Sequence, residues 1–258
     1  MSTAPGKFGW YELMTTDTAA AGPFYASVVG WTTQDVGMPG MPYTTFNIGA
    51  AGMAGMMTLP AEAAAMGQPP SWIGYIHVPD TDAFVEKVVA AGGAIHKPAT
   101  DIPGMLRFAV VADPQGAAFV LFTANPAMPS PPKPAPGSPG TIGWHELMAS
   151  DGATAFEFYS TLFGWTEGPV HDMGSHGPYL IFEEDGVQSG GIMTKMPFMP
   201  VPFWAYYFNV DSIAAAVERL KAGGGTVVNG PMQVPGGQWI VQAIDPQGAH
   251  FALVSYTE

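Results

Sequence analysis

Cysteine is absent from this 258-residue chain. No disulfide framework, thiolate nucleophile or cysteine-ligated metal is therefore available to it, and its redox compartment stays open. Positive charge is scarce, with 8 Lys+Arg against 21 Asp+Glu and a formal net charge of −13. Neither half holds a basic run, which argues against a nucleic acid partner. Uninterrupted apolar runs of about 18 residues are missing, and Met1 to Trp10 contains no apolar stretch of the signal-peptide kind. The expectation is a cytoplasmic protein with no membrane partner. Neither G-x-S-x-G nor H-E-x-x-H occurs, so serine hydrolase and zincin readings have no support.

What is present is apolar and aromatic. A hydrophobic share of 47%, with 15 Phe, 9 Tyr and 7 Trp, supplies sizeable cores and separates the chain from acidic disordered proteins. At roughly 150 residues per domain, the length suits one large domain or two small ones. Repetition decides between them. FGWYELMTTD (Phe8–Asp17) returns as IGWHELMASD (Ile142–Asp151), and FYASVVGW (Phe24–Trp31) as FYSTLFGW (Phe158–Trp165), both at an offset of 134 residues. DPQGAAFVLF (Asp113–Phe122) matches DPQGAHFALV (Asp245–Val254) at an offset of 132. A constant spacing of this kind marks an internal duplication. Between the copies, Asn125–Gly140 is too rich in Pro for a helix or a central strand and reads as a linker. The domains are thus expected at 1–124 and 141–258, with the linker at 125–140.

Each copy repeats one pattern twice: an aromatic strand, a capped helix ending at Gly, then three strands parted by Gly or Pro turns. In the first copy, strands are expected near Gly9–Met14, Trp31–Gly37, Tyr43–Ile48, Gly55–Leu59, Trp72–Val78, Ala94–Lys97, Leu106–Val111 and Ala117–Thr123. Helices are expected over Asp80–Ala91 and Asp211–Ala222, and from Asp17 to Gly30 and Asp151 to Gly164, with Pro23 distorting the third. The result is four βαβββ modules in two pairs. Pairing two modules makes a cupped, mixed sheet with room for a small ligand.

WYELMTTD…FYASVVGW and WHELMASD…FYSTLFGW, each followed by a helix ending AAGG or AGGG and then by DPQGA, resemble the vicinal oxygen chelate superfamily of glyoxalases, bleomycin-resistance proteins and dioxygenases. Within it they resemble a tandem-domain, glyoxalase-like mycobacterial antigen group. The resemblance covers residues 8–256. It implies an α+β fold of tandem glyoxalase-like domains, each built from two paired βαβββ modules, and it implies that the pseudo-dimer is internal, so that a monomer suffices. In enzymes of the family, His and Glu or Gln side chains hold one divalent metal that polarises substrate oxygens. By the family pattern these ligand positions fall on Trp10 and Trp144, near Ile73 and Ala205, on Val120 and Ala252, and around Met57 and Met193. None of these side chains replaces imidazole or carboxylate. No metal or other cofactor is therefore expected, and a divalent metal remains the alternative.

Polar groups still share faces with those positions. Strand alternation puts Glu12 beside Trp10, Glu146 beside Trp144, and His77 on the face of Ile73 and Tyr75. Either His77 meets Glu12 as an acid–base pair, or Glu12 anchors a loop and His77 ends a strand in water. Asn209, close to Tyr207, stands where the first copy has His77, and it does not titrate near neutrality. His145 should point away from Glu146, toward helix packing or the surface. His171, Asp172 and His176 offer an unspecific metal cluster in a loop better read as a rim. Met38, Met41, Met53, Met56 and Met57 either wall a cavity or fill the core.

The resulting expectation is a protein that binds a small, partly apolar ligand through Trp10, Tyr75, Trp144, Glu146, Tyr207 and Asn209. The alternative is a glyoxalase-like lyase or oxygenase that uses Glu12 and His77.

Overall fold

The computed structural model describes residues 6–37, 42–127 and 132–258. Met38 and Met41, expected either to wall a cavity or to fill the core, and residues 128–131 of the Pro-rich segment lie outside the described residues.

The first copy opens with β1 (Phe8–Thr15), α1 (Thr18–Val29), β2 (Thr32–Asp35), β3 (Thr44–Ile48) and β4 (Ala51–Thr58). A short α2 (Ala61–Ala65), not foreseen, leads to β5 (Ser71–His77), α3 (Thr81–Ala90), β6 (Ala94–Ile102), β7 (Leu106–Ala112) and β8 (Ala118–Ala124). The second copy repeats this with β9 (Ile142–Ala149), α4 (Gly152–Phe163), β10 (Thr166–Asp172), β11 (Pro178–Glu184) and β12 (Val187–Thr194). It ends with β13 (Phe203–Asn209), α5 (Ile213–Ala222), β14 (Thr226–Gln233), β15 (Trp239–Ile244) and β16 (His250–Ser255). All eight strands expected in the first copy are found. Among the described residues, no helix is long and apolar enough to cross a membrane.

Local chemistry fixes the helix ends. Asp17 accepts from the Ala20 N–H, Asp80 from that of Ala83 and Asp151 from that of Thr154, each satisfying a first-turn donor. Gly30 and Gly164, at φ 89° and 75°, end α1 and α4 in the left-handed region that glycine enters without strain. At α5 the cap is Ser212, and Asp211, where the helix was expected to begin, lies outside it with its carboxylate accepting from Arg219 at 2.8 Å. α1 runs without a break through Pro23, whose ring costs the helix a hydrogen bond and crowds the Ala19 carbonyl, because Ala21, Phe24, Tyr25 and Val28 hold the helix in the core.

Two eight-stranded mixed sheets result, with orders β2-β3-β4-β1-β5-β8-β7-β6 and β10-β11-β12-β9-β13-β16-β15-β14. In each module the first and last strands pair parallel, β1 with β4, β5 with β8, β9 with β12 and β13 with β16. The pairs β2–β3, β3–β4, β6–β7 and β7–β8, with β10–β11, β11–β12, β14–β15 and β15–β16, are antiparallel hairpins.

The compact units cut across the repeat. One gathers Met1–Gly9, Ile73–Ser130 and His145–Trp204; the other gathers Trp10–Trp72, Pro131–Trp144 and Ala205–Glu258. Each joins a module of one copy to a module of the other. In the latter unit Trp72 donates to the Tyr25 hydroxyl at 2.9 Å, which donates to Asp245 at 3.0 Å. The other Asp245 oxygen accepts from the backbone of Gln247 and Ala249, closing the DPQG turn. The former unit repeats the arrangement. Trp204 donates to the Tyr159 hydroxyl at 3.1 Å, Tyr159 to Asp113 at 3.1 Å, and Asp113 holds the backbone of Gln115 and Ala117. Burial, followed by the charge of Asp245, pushes the Tyr25 hydroxyl well above its ordinary range, so it remains a donor. The recurring FY and DPQG phrases are therefore halves of one core contact. Trp31 and Trp165 complete it by donating to the carbonyls of Gly140 and Gly6, at 2.8 and 2.7 Å.

Replacing Tyr25 by Phe strips one oxygen of a buried carboxylate of its donor and a buried indole N–H of its acceptor. The expected loss is about 2–3 kcal/mol of unfolding free energy by urea titration, with a similar loss for Tyr159→Phe. A change within about 0.5 kcal/mol, the range of an ordinary surface substitution, would contradict this role.

Candidate functional site

The two faces of each sheet differ in what covers them. Tyr11 and Leu13 of β1 turn toward the core, where Tyr11 meets Tyr206 edge-on at 5.3 Å. Trp10 and Glu12 alternate to the opposite face. There Trp10 Nε1 donates to the Tyr43 hydroxyl at 3.1 Å, and Tyr43 donates to Glu12 Oε2 at 2.9 Å. Glu12 is only 8% exposed. Directly across the β1–β4 ladder stands Gly55, where a Cβ would collide with the Tyr43 hydroxyl. A glycine is required for the phenol to lie over the strand and reach the carboxylate. Burial first, and the Glu12 charge second, raise the Tyr43 hydroxyl far above its ordinary range and hold it protonated.

The second copy builds the same pair. Tyr179 donates to Glu146 Oε1 at 3.1 Å, Gly191 is the ladder partner of Glu146, and a Cβ on Gly191 would strike the Tyr179 ring. Glu146 is 7% exposed, and Trp144 is half-buried two residues before it on β9. Each pair is a buried carboxylate that accepts from a phenolic hydroxyl, a charge-assisted contact. Neither the tyrosines nor the glycines are among the site residues expected from the sequence. Their signal was present: Pro42–Tyr43 and Gly55 recur as Pro178–Tyr179 and Gly191, both at an offset of 136 residues.

The other expected site residues stand as follows. Tyr75 on β5 packs against Phe108 and Phe122, at 6.4 and 6.0 Å between ring centroids, and His77 meets Phe122 edge-on at 5.4 Å. Glu12 and His77 fall in different compact units. Tyr207 on β13 accepts from Gln242 at 2.7 Å, and Gln242 accepts from Asn229 at 3.1 Å. Asn209 is 4% exposed and donates its amide to the carbonyl and hydroxyl of Thr141, which pins the chain entering β9.

The side chains at the positions that the family pattern was expected to assign to metal ligands are Trp10, Trp144, Ile73, Ala205, Val120 and Ala252, with Met57 and Met193 beside them. They offer no imidazole or carboxylate, and among the described residues no group of three or more His, Asp or Glu is placed to hold an ion. The donor set does not fit a divalent metal of the family kind. Asp172, from the loop where His171 and His176 suggested a cluster, accepts instead from the Gly174 N–H.

His145 departs from the surface alternative. It is 8% exposed, stacks on Phe8 at 4.1 Å, and its Nδ1 lies 2.7 Å from the Ser189 carbonyl. Burial pushes its pKa down to about 4. Nearby, burial raises Glu184 to about 7 against the opposing effects of the Ser189 hydroxyl, the Phe8 N–H and the Lys7 charge. Lys7 itself pairs with Asp185 at 2.8 Å.

The family model described as the Glyoxalase/Bleomycin resistance protein/Dioxygenase superfamily matches residues 7–121 and 141–253. The chain belongs to this superfamily, as a tandem of two such domains. It is 33% identical over 252 residues to "Putative glyoxylase CFP32" of Mycobacterium tuberculosis, covering 96% of this chain and 94% of that one. It is 31% identical over 266 residues to "Anthracycline biosynthesis protein DauV" of a Streptomyces species, covering 99% and 95%. Among solved structures, the Mn(II)-bound glyoxalase from Novosphingobium aromaticivorans superposes with a TM-score of 0.68 at 15% identity, covering 99% of this chain and 83% of that one. The 2,3-dioxygenase LapB from Pseudomonas sp. KL28 gives 0.67 at 13% identity, covering 99% and 93%. These structural likenesses are of fold.

The two buried titrations carry opposite signs. His145, depressed from 6.5 to about 4, withdraws stability as pH falls through that window, because only the unfolded chain takes up the proton. Glu184, raised from 4.5 to about 7, withdraws stability as pH rises through its own window. Over the overlap they offset each other. His145→Tyr, which installs the residue found at Tyr11, should expose the Glu184 slope: a fall on the order of 3 kcal/mol from about pH 4.5 to 7 in urea unfolding. A variant whose pH profile matches the parent would refute it.

Proposed function

We propose that each copy binds a small, partly apolar, ring-bearing ligand on the helix-free face of its sheet, without a metal ion. Glu12 and Glu146 accept hydrogen bonds from it, while Trp10 and Trp144 offer ring surfaces. One observation carries this reading: a buried Glu–Tyr pair, seated over a glycine whose Cβ would displace the phenol, is built twice at equivalent positions. The non-donor side chains at the family's metal positions support the metal-independent form. The relatives named for anthracycline biosynthesis support a ligand with fused rings and suggest the probe. A second reading, lyase or oxygenase chemistry through Glu12 and His77, is favoured by the name of the mycobacterial relative. Turnover that survives replacement of both residues would remove it.

Daunomycin, followed by quenching of its fluorescence, tests the binding reading. Tyr43→Phe combined with Tyr179→Phe leaves both carboxylates without their phenolic donors and should weaken binding about five- to tenfold. Gly55→Ala with Gly191→Ala forces both phenols off their strands and should weaken it at least as much. Unaltered affinity in both double variants would sink the assignment of this face.

A further inference from the structure

The modules that follow in each copy present the same backbone and different chemistry. A row of facing residues crosses the first sheet as Lys97–Val110–Val120–Tyr75, through β6, β7, β8 and β5. Its equivalent on the second sheet reads Asn229–Gln242–Ala252–Tyr207, through β14, β15, β16 and β13. In both sheets the ladder register shifts on either side of the outermost residue, between Ile95, Lys97 and Thr100 and between Val227, Asn229 and Met232. Bulges of this sort re-aim a side chain. The duplication has therefore kept the device that turns this position onto the sheet face and changed the group it carries.

What lies beside that group changes with it. In the first sheet Lys97 Nζ sits 5.4 Å from the centroid of the half-buried Phe108 ring, itself next to Tyr75 and across from Phe122. Lys97 makes no ion pair among the described residues. The second sheet has Ile240 and Val254 where the first has Phe108 and Phe122, and its amides form the neutral chain Asn229 to Gln242 to Tyr207. One face thus offers rings edged by an ammonium, the other aliphatic side chains edged by amides.

We infer that the β5–β8 face is a subsite for an aryl carboxylate. The half-buried Phe108 receives the ring beside the buried Tyr75, Lys97 pairs with the carboxylate, and the β13–β16 face takes neutral ligands instead. The two copies then differ in specificity and are not redundant. A lone ammonium in a chain of net charge −13 gives the subsite a sign that its surroundings oppose, so the anion preference comes from Lys97 itself. This inference rests on the reading of the helix-free faces as ligand-binding.

Titration calorimetry with 2-naphthoate and 2-naphthamide, two probes of one shape and different charge, tests it on the full chain. At low ionic strength the carboxylate should bind about three- to fivefold more tightly than the amide, the scale of an accessible ion pair. Lys97→Met should bring the ratio to one while leaving the amide's affinity in place, and Lys97→Arg should keep the preference. Raising the salt to about 0.5 M should shrink the ratio in the parent. Equal affinities in the parent, or a preference that persists in Lys97→Met, would overturn the inference. If neither naphthyl probe binds while daunomycin does, the aryl carboxylate assignment falls and the ligand-binding reading stands. If the Lys97-dependent preference appears while the paired tyrosine and glycine variants bind daunomycin normally, the Glu–Tyr assignment falls alone.

Discussion

A buried tyrosine hydroxyl, held between an indole N–H and an aspartate, organises this protein. Tyr25 and Trp72 come from the first copy and Asp245 from the second; Tyr159 and Trp204 come from the second and Asp113 from the first. Each Asp also closes its own DPQG turn through two backbone donors, so one carboxylate fixes a local turn and a long-range contact together. An unpaired buried group of this kind costs more than the contact gains, which makes the arrangement all-or-none. Because the partners lie in different copies, the compact units have to mix the copies. Duplication here is a condition of the core as well as a record of descent.

With the core face of each sheet committed to those clamps, variation falls on the opposite face. Some of it is held constant. Glu12, Tyr43 and Gly55 match Glu146, Tyr179 and Gly191, and the glycines allow a ring to cross a strand where any Cβ would stop it. Other positions diverge: His77 against Asn209, Phe108 and Phe122 against Ile240 and Val254, Lys97 against Asn229. Asn209 is turned to a structural end, tying Thr141 to β13. The same divergence reaches the buried layer, where His145 stands at the place of Tyr11 and is kept neutral by burial. A scaffold fixed by its core is free to carry unlike chemistry on its helix-free faces, which is why membership of the superfamily names a fold and leaves the ligand to the residues.

The modules, the eight strands of the first copy and the helix limits were legible in the chain itself, because alternation, capping residues and glycine stops act over a few neighbours. Where two residues compete for a cap, as Asp211 and Ser212 do before α5, the local pattern is silent and Arg219 decides by drawing Asp211 away. Glu12 and Glu146 were legible as acids sharing a face with Trp10 and Trp144, since period-two alternation fixes the face of a residue. Their partners were not. Tyr43 and Tyr179 lie 31 and 33 residues from them, across loops, and reach them only through the register that sets a glycine opposite each acid. Tyr25 and Asp245, 220 residues apart, are the extreme case. The sequence alone determined which face each side chain takes and where each long helix stops, since these are short-range properties of the backbone. Only the tertiary structure decided which side chains meet, because contact depends on strand register and on the room left by an absent Cβ, and neither is written in any single stretch of the chain.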